Sequence, residues 1–300
     1  MKETAILFGK LGALAGVVTD PDCGFDPRHR PAILLLNAGL LYRVGPNRVY
    51  VRLARVLASA GFVTLRLDFS GIGDSESRRD SLTREESSLR EAQEAMDFLA
   101  VSRGIERFVV IGLCGGATNA FRITRDDPRV IGAVMIDGYA YRTFGYYLRH
   151  YGRRLVSRRR WSNLFTGKSD SGRRLRRMLQ IGNADQALVN PVGVSYVRTF
   201  PPRDATLSDL CVLIDRGVYM FFIYSEGGMD RYYNYESQFE DTFPSLCSNG
   251  KLRVKFVREA DHTFTLLSHQ RMLVDDIEDW VSTTFTTSKR SATIRSTMAV

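Results

Sequence analysis

The stretch Phe108-Val-Val-Ile-Gly112-Leu-Cys114-Gly-Gly116-Ala-Thr-Asn-Ala-Phe121 decides how this chain is read. An apolar run from Phe108 to Gly112 leads into Gly-x-Cys-x-Gly and then into a segment with helical spacing. Small residues two before and two after position 114 are required when a strand turns so tightly into a helix that larger side chains would meet neighbouring backbone. Such a turn lifts Cys114 clear of the sheet edge. It also sets the sulfur at a helix N-terminus, where the dipole and the unpaired amides favour a thiolate. The competing reading, a cysteine packed behind the sheet, does not account for strand, glycines and helix occurring in this order. Cys23, Cys211 and Cys247 have no such context and read as structural residues.

Working outward, glycine and proline punctuation divides the chain into short apolar runs alternating with longer amphipathic ones, the pattern of an α/β fold with a mostly parallel sheet flanked by helices. Buried strands are predicted at Pro31–Asn37, Phe62–Asp68, Phe108–Gly112, Val130–Ile136, Val218–Tyr224 and Leu252–Val257. Helices are predicted at Asn47–Ala60, Thr83–Val101 and Asp276–Thr284, and the opening run AILFGKLGALAGVV reads as two short strands. Residues 138–210 break this rhythm. They are rich in Tyr and Arg and read as a helical lid inserted into a core made of 1–137 and 211–285, placed over the carboxyl ends of the strands, with a fraying tail at 286–300.

Composition narrows the function classes. In 300 residues, 44% hydrophobic and 11% aromatic content offsets the entropy of ordering, so a disordered chain is excluded. Four scattered cysteines without a C-x-x-C pair exclude a disulfide scaffold and give no zinc motif, and the reading calls for no metal and no cofactor. No leader or membrane-spanning run is evident, which leads to the expectation of a cytoplasmic protein. The formal net charge of +9 is unevenly distributed: twelve Lys/Arg between Arg142 and Arg177 face a single acid, Asp170, so this segment carries +11 and the rest of the chain −2. A near-neutral body with one basic insert is a poor candidate for nucleic-acid binding, since no reading motif accompanies the patch.

A nucleophilic thiol needs a base, and there are four histidines. His262 follows the last predicted strand in Val257-Arg-Glu-Ala-Asp261-His262-Thr-Phe, where it can reach across the top of the sheet. His29, His150 and His269 lie in a loop, in the insert and at the start of the closing helix. The orienting acid is expected after the preceding strand, in Ser225-Glu-Gly-Gly-Met-Asp230, with Asp230 as first choice and Glu226 as the alternative. An oxyanion hole would use the backbone amide of Gly115 and a second from Asn37-Ala-Gly39-Leu40-Leu41, with Gly39 and Leu40 as candidates. Tyr139, Tyr141, Arg153, Arg154 and Arg158 of the insert are the expected substrate contacts.

With these residues in place, the chain from about Pro31 to Thr284 resembles the α/β-hydrolase superfamily. Asp68-Phe-Ser-Gly71-Ile-Gly73-Asp74-Ser75 is similar to a structural turn of its serine-aminopeptidase-like branch. NAGLLYRVGPNR, DFSGIGDS, GLCGGATNAFR and IDGYAYRTFGYYLR together resemble small bacterial hydrolases found beside exosortase-type and polysaccharide gene clusters. The resemblance implies a triad with Cys114, Asp230 and His262 in the Ser, Asp/Glu and His places. Cysteine in place of serine departs from that pattern and is similar to the G-x-C-x-G box of polyhydroxyalkanoate synthases and to cysteine-dependent aminoacyl transferases.

The expected activity is therefore cysteine-dependent acyl transfer, or thioester hydrolysis, from an acyl donor bound to coenzyme A or to an acidic acyl carrier protein, which the basic insert would dock. Two alternatives stand beside it: hydrolysis of small esters or lactones in the manner of dienelactone hydrolases, and a binding protein that keeps the fold without catalysis.

Overall fold

The computed structural model describes residues 1–22, 26–155, 200–227 and 232–286. Among these residues eight strands form one sheet: β1 (Lys2–Phe8), β2 (Leu14–Asp20), β3 (Ala32–Leu36), β4 (Thr64–Leu67), β5 (Phe108–Leu113), β6 (Val130–Ile136), β7 (Tyr219–Gly227) and β8 (Leu252–Asp261). Their order is β1-β2-β4-β3-β5-β6-β7-β8, with the β1–β2 hairpin antiparallel and the remaining six strands parallel. The helices are α1 (Val49–Ser59), α2 (Arg84–Arg103), α3 (Gly115–Asp126), α4 (Phe144–Leu155), α5 (Arg203–Asp215), α6 (Gln238–Thr242) and α7 (Leu267–Thr286).

The central strands are apolar on both faces because helices cover both. Successive side chains of β3 alternate between two cores. Ile33 and Leu35 pack with Leu53 and Leu57 of α1 and with Leu273 and Ile277 of α7. Leu34 and Leu36 pack with Met96 and Leu99 of α2, Ala120 of α3 and Leu213 of α5. The α2 helix opens on a reciprocal capping box between Thr83 and Glu86 and closes on Gly104 at φ 67°.

The opening hairpin and the six predicted strands are present, with several boundaries that differ. The closing helix begins at Leu267 rather than Asp276, because Leu273 and Val274 continue the buried stripe of Ile277 and Val281. The strands β7 and β8 run beyond their expected ends to Gly227 and Asp261. The α5 helix passes through the boundary drawn at 210 and sends Leu210, Leu213 and Ile214 into the core. Most of the expected lid, 156–199, and the tail from 287 lie outside the described residues.

Two loops at the carboxyl ends of β3 and β4 are locked together by a buried carboxylate. Asp68 is fully buried and accepts hydrogen bonds from the Asn37 amide (3.0 Å), the Arg43 backbone N–H (2.6 Å) and the Arg43 guanidinium. Asn37 in turn accepts the Phe69 N–H at 2.7 Å and donates to the Leu41 carbonyl at 3.0 Å. A Cβ on Gly73, at φ 57°, would sit 2.2 Å from the Asp68 carboxylate, so only glycine fits that turn. DFSGIGDS is thus a structural device that fixes the turn carrying Gly39 and Leu40. Asp68→Ala leaves the buried Asn37 amide and the Arg43 N–H without their shared acceptor, although the Arg43 guanidinium keeps Asp74, and is expected to lower the unfolding free energy by about 1–3 kcal/mol, read from the urea midpoint.

Candidate active site

The sharp turn after β5 is built as the sequence pattern requires. Cys114 has φ 58° and ψ −118°, a conformation unusual for a side chain with a Cβ, and it immediately precedes α3. A Cβ on Gly112 would lie 2.0 Å from the Gly116 carbonyl oxygen, and one on Gly116 would lie 2.5 Å from the Asn37 carbonyl oxygen. Both obstacles are backbone, which has little room to give. The turn is pinned on each side: the Cys114 N–H donates to Ile136 O at 2.9 Å, and the Leu113 N–H donates to the buried Tyr50 hydroxyl at 2.9 Å. Tyr50, from α1, supplies the acceptor that β3, ending at Leu36, no longer provides.

Leu113 pairs with Ile136 in the parallel ladder, so the residue after β6 stands level with the thiol. That residue is Asp137, at φ 49° and 7% exposed. Its carboxylate accepts from the Ser225 N–H (2.7 Å) and the Ser225 hydroxyl (2.7 Å), and it lies 2.8 Å from His262 Nδ1. His262 is 6% exposed and also hydrogen-bonded to Cys114. Burial lowers the affinity of the imidazole for a proton, but the bonds to Asp137 and Cys114 outweigh it and raise the pKa to about 10. With Nδ1 engaged by the carboxylate, the ring offers Nε2 to the sulfur.

The approach of His262 is engineered by an irregularity in β8. Ser225 pairs with Val257, but Gly227 pairs with Asp261, so the intervening residues of β8 bulge, with Glu259 at φ 63°. The Asp261 carboxylate then ties the loop by accepting from the N–H and hydroxyl groups of Thr263 and Thr265, which hold its pKa down to about 2 although burial opposes this. Asn47, before α1, donates to the Thr263 carbonyl at 3.0 Å and anchors the same loop.

The acid is where the sequence reading departs from the structure. Asp137, which that reading did not select, holds His262. Glu226, the alternative acid, instead accepts the Glu259 N–H at 3.1 Å and supports the bulge. Asp230 lies outside the described residues. A polar residue directly after an apolar strand neighbouring β5 was the available signal, since parallel register alone places it beside the thiol.

The insert residues also separate. Tyr139 is buried, with its ring against Phe121 and Phe200, and its carbonyl accepts from the Tyr224 hydroxyl. The Tyr141 hydroxyl is engaged by Pro201 O (2.9 Å) and Thr206 (2.6 Å), and burial pushes its pKa up to about 12. Both tyrosines serve the packing of the body rather than a substrate pocket. Arg153 and Arg154 lie in the last turn of α4, and the position of Arg158 is outside the described residues. Of the insert arginines whose side chains are described, Arg142 stacks on Tyr232 at 4.2 Å and Arg149 on Tyr235 at 4.1 Å. Cys211 and Cys247 are exposed, contrary to a structural role.

Gly39 occupies a turn closed by the Leu41 N–H to Ala38 O bond, at φ 63° with open space around it. It lines a cleft together with Gly115, while the Leu40 side chain is exposed. Among the described residues no group of three or more His, Cys, Asp or Glu is placed to hold a metal, and no helix is long and apolar enough to cross a membrane.

The overall fold recurs in solved structures. A hypothetical protein from Pseudomonas aeruginosa is 19% identical, with 94% of this chain and 92% of that chain covered at a TM-score of 0.55. An α/β serine hydrolase homologue from Coxiella burnetii is 11% identical, covering 94% and 96% at 0.52. The chain has the α/β-hydrolase fold. A further structure with this hydrolase fold, a serine hydrolase without a lid from Xanthomonas campestris, is 13% identical over 94% of this chain and 93% of that one, with a TM-score of 0.51. No family model and no curated protein matches the sequence.

Proposed function

We propose that this α/β-hydrolase-fold protein is a cysteine-dependent acyl-transfer enzyme working through Cys114, His262 and Asp137. The observation that carries the reading is the placement of His262 between the Asp137 carboxylate, at 2.8 Å from Nδ1, and the Cys114 thiol on its strained turn. Asp137 takes the orienting place first given to Asp230.

In the first half-reaction the Cys114 proton resides on His262, and the sulfur attacks the carbonyl carbon of an acyl thioester. The oxyanion is met by the Gly115 N–H and by a second amide from the turn at Gly39 and Leu40. Collapse breaks the bond to the leaving sulfur, which takes the proton from His262, and leaves the acyl group on Cys114. In the second half-reaction His262 accepts a proton from water or from an alcohol or amine acceptor as that oxygen or nitrogen attacks, and the thiolate departs. Asp137 keeps the ring in the tautomer that serves both halves and stabilises the imidazolium.

Thioester chemistry is favoured because exchange between two thioesters is nearly thermoneutral, whereas forming a thioester from an ordinary ester runs uphill. The basic segment from Arg142 to Arg177 supports an anionic leaving group, such as coenzyme A or an acidic carrier protein, drawn in by a salt-sensitive field. Hydrolysis of small esters is the second reading, favoured by the hydrolases among the proteins of similar fold. The two are separated by comparing a coenzyme A thioester with the p-nitrophenyl ester of the same acyl group. Acyl transfer predicts the higher kcat/KM for the thioester, falling steeply as salt is raised. A preference for the ester with no salt dependence would move the assignment to hydrolysis.

A further inference from the structure

A cleft of about 430 Å³ opens beside the turn at Cys114, with Gly39 and Gly115 at its edge. Its floor is the α3 surface at Thr118, Asn119 and Arg122, and its far wall comes from the β4–α2 connection and the first turns of α2. The strand order assigns it a role. In the sheet, β3 and β4 lie on one side of β5, and β6, β7 and β8 lie on the other. His262 arrives from the end of β8 and Asp137 from the end of β6. A leaving group must collect its proton from His262, so it departs on the β6–β8 side, where α4 and the basic segment begin. The acyl group retained on Cys114 is left facing the β3–β4 side, which is where the cleft lies.

The chemistry of the cleft defines what that acyl group is. Most of its charges are paired: Arg122 with Glu85 at 3.2 Å, and Arg78 with Asp80 at 2.5 Å and with Glu91 at 3.2 Å, while Arg84 lines it with no ion pair among the described residues. Glu91 is 1% exposed and also accepts the Ser70 N–H at 2.8 Å. Asn119 is half-buried one turn beyond the nucleophile, and its amide makes no hydrogen bond among the described residues. A long aliphatic chain laid here would strip water from these ion pairs and from Asn119 without replacing a single hydrogen bond.

We infer that this cleft is the acyl pocket and that it selects a short polar acyl group bearing hydroxyl or amide functions, with Asn119 as a specificity-determining residue that gives and accepts a hydrogen bond. The inference rests on the acyl-transfer reading and adds the substrate class to it.

Two measurements test it. Coenzyme A thioesters of butanoate, 3-hydroxybutanoate and octanoate are compared on the wild type and on Asn119→Leu. The expected result is a kcat/KM for the 3-hydroxybutanoyl donor about tenfold or more above the butanoyl and octanoyl donors, and collapse of that ratio in Asn119→Leu. A butanoyl or octanoyl donor equal to or better than the hydroxylated one in the wild type would overturn it. In Cys114→Ala, where no chemistry occurs, 3-hydroxybutyramide is expected to bind more tightly than butyramide or octanamide and to shift the Asn119 side-chain amide resonances. Tighter binding of octanamide would overturn the pocket assignment. If no thioester acylates the wild type, the acyl-transfer reading fails, and the amide comparison still decides what the cleft prefers.

Discussion

Cys114→Ala is expected to lower acyl-thioester turnover by about 10⁴-fold or more, because no other nucleophile among the described residues sits beside His262. The fold should survive. Cys114 packs only at the margin of the core formed by α1 and α7, and its backbone is pinned by Ile136 O and, through Leu113, by Tyr50. A circular dichroism spectrum and melting curve close to those of the wild type, with turnover lost, is the expected pair of results. Retained turnover would remove the thiol from the mechanism and favour a hydrolase of another design or a protein that binds without reacting.

Asp137→Asn carries the second largest effect, a loss of about 10²–10⁴-fold in kcat. An amide at this position no longer favours the imidazolium and, with its NH2 toward the ring, selects the tautomer that turns an N–H rather than a lone pair to the sulfur. The sign of the pH effect follows. Burial works against protonation of His262, yet Asp137 and Cys114 together raise its pKa to about 10, so the ring stays protonated across the neutral range. An imidazolium beside a thiol favours the thiolate. The rate of alkylation of Cys114 by iodoacetamide is therefore expected to be high and nearly flat through neutral pH in the wild type. In Asp137→Asn the ring pKa falls, and the rate should climb with pH toward the ordinary thiol value of about 8.5. Superimposable profiles would show that Asp137 does not set the protonation of the pair.

The parts of the site that depend on backbone geometry were legible in the sequence. Gly112 and Gly116 are demanded by each other's main chain and by that of Asn37, contacts that any tight strand-to-helix turn creates, so their spacing around Cys114 is informative without a structure. The six buried strands were legible for a similar reason: a strand covered on both faces must be apolar at nearly every position. The acid was not legible, because its place depends on which strands lie beside β5. The expectation centred on the loop after β7, whereas the level of the thiol is reached directly from β6, whose last residue Ile136 pairs with Leu113. The bulge in β8 was equally hidden. It occupies Glu226 and re-aims the chain toward His262, and nothing in Arg258-Glu259-Ala260 announces it. The aromatic insert misled in another way. Tyr139 and Tyr141 carry the pattern of a pocket wall, but their hydroxyl and carbonyl groups are used to join the β6 end to β7 and α5.

Charge acquires a more specific meaning from the fold. The positive charge is concentrated in residues 142–177, a segment that follows β6 in the chain. Such a concentration fits the proposed docking of an anionic leaving group.

The central claim is that a covalent acyl-Cys114 intermediate forms and depends on His262 and Asp137. Intact-protein mass spectrometry after brief mixing with an acyl-coenzyme A donor tests it most directly. The predicted result is a mass increase equal to one acyl group, mapped by peptide digestion to the segment containing Cys114, absent in Cys114→Ala and strongly slowed in Asp137→Asn. An unchanged adduct in Cys114→Ala, or no adduct on the wild type with any thioester donor, would contradict it.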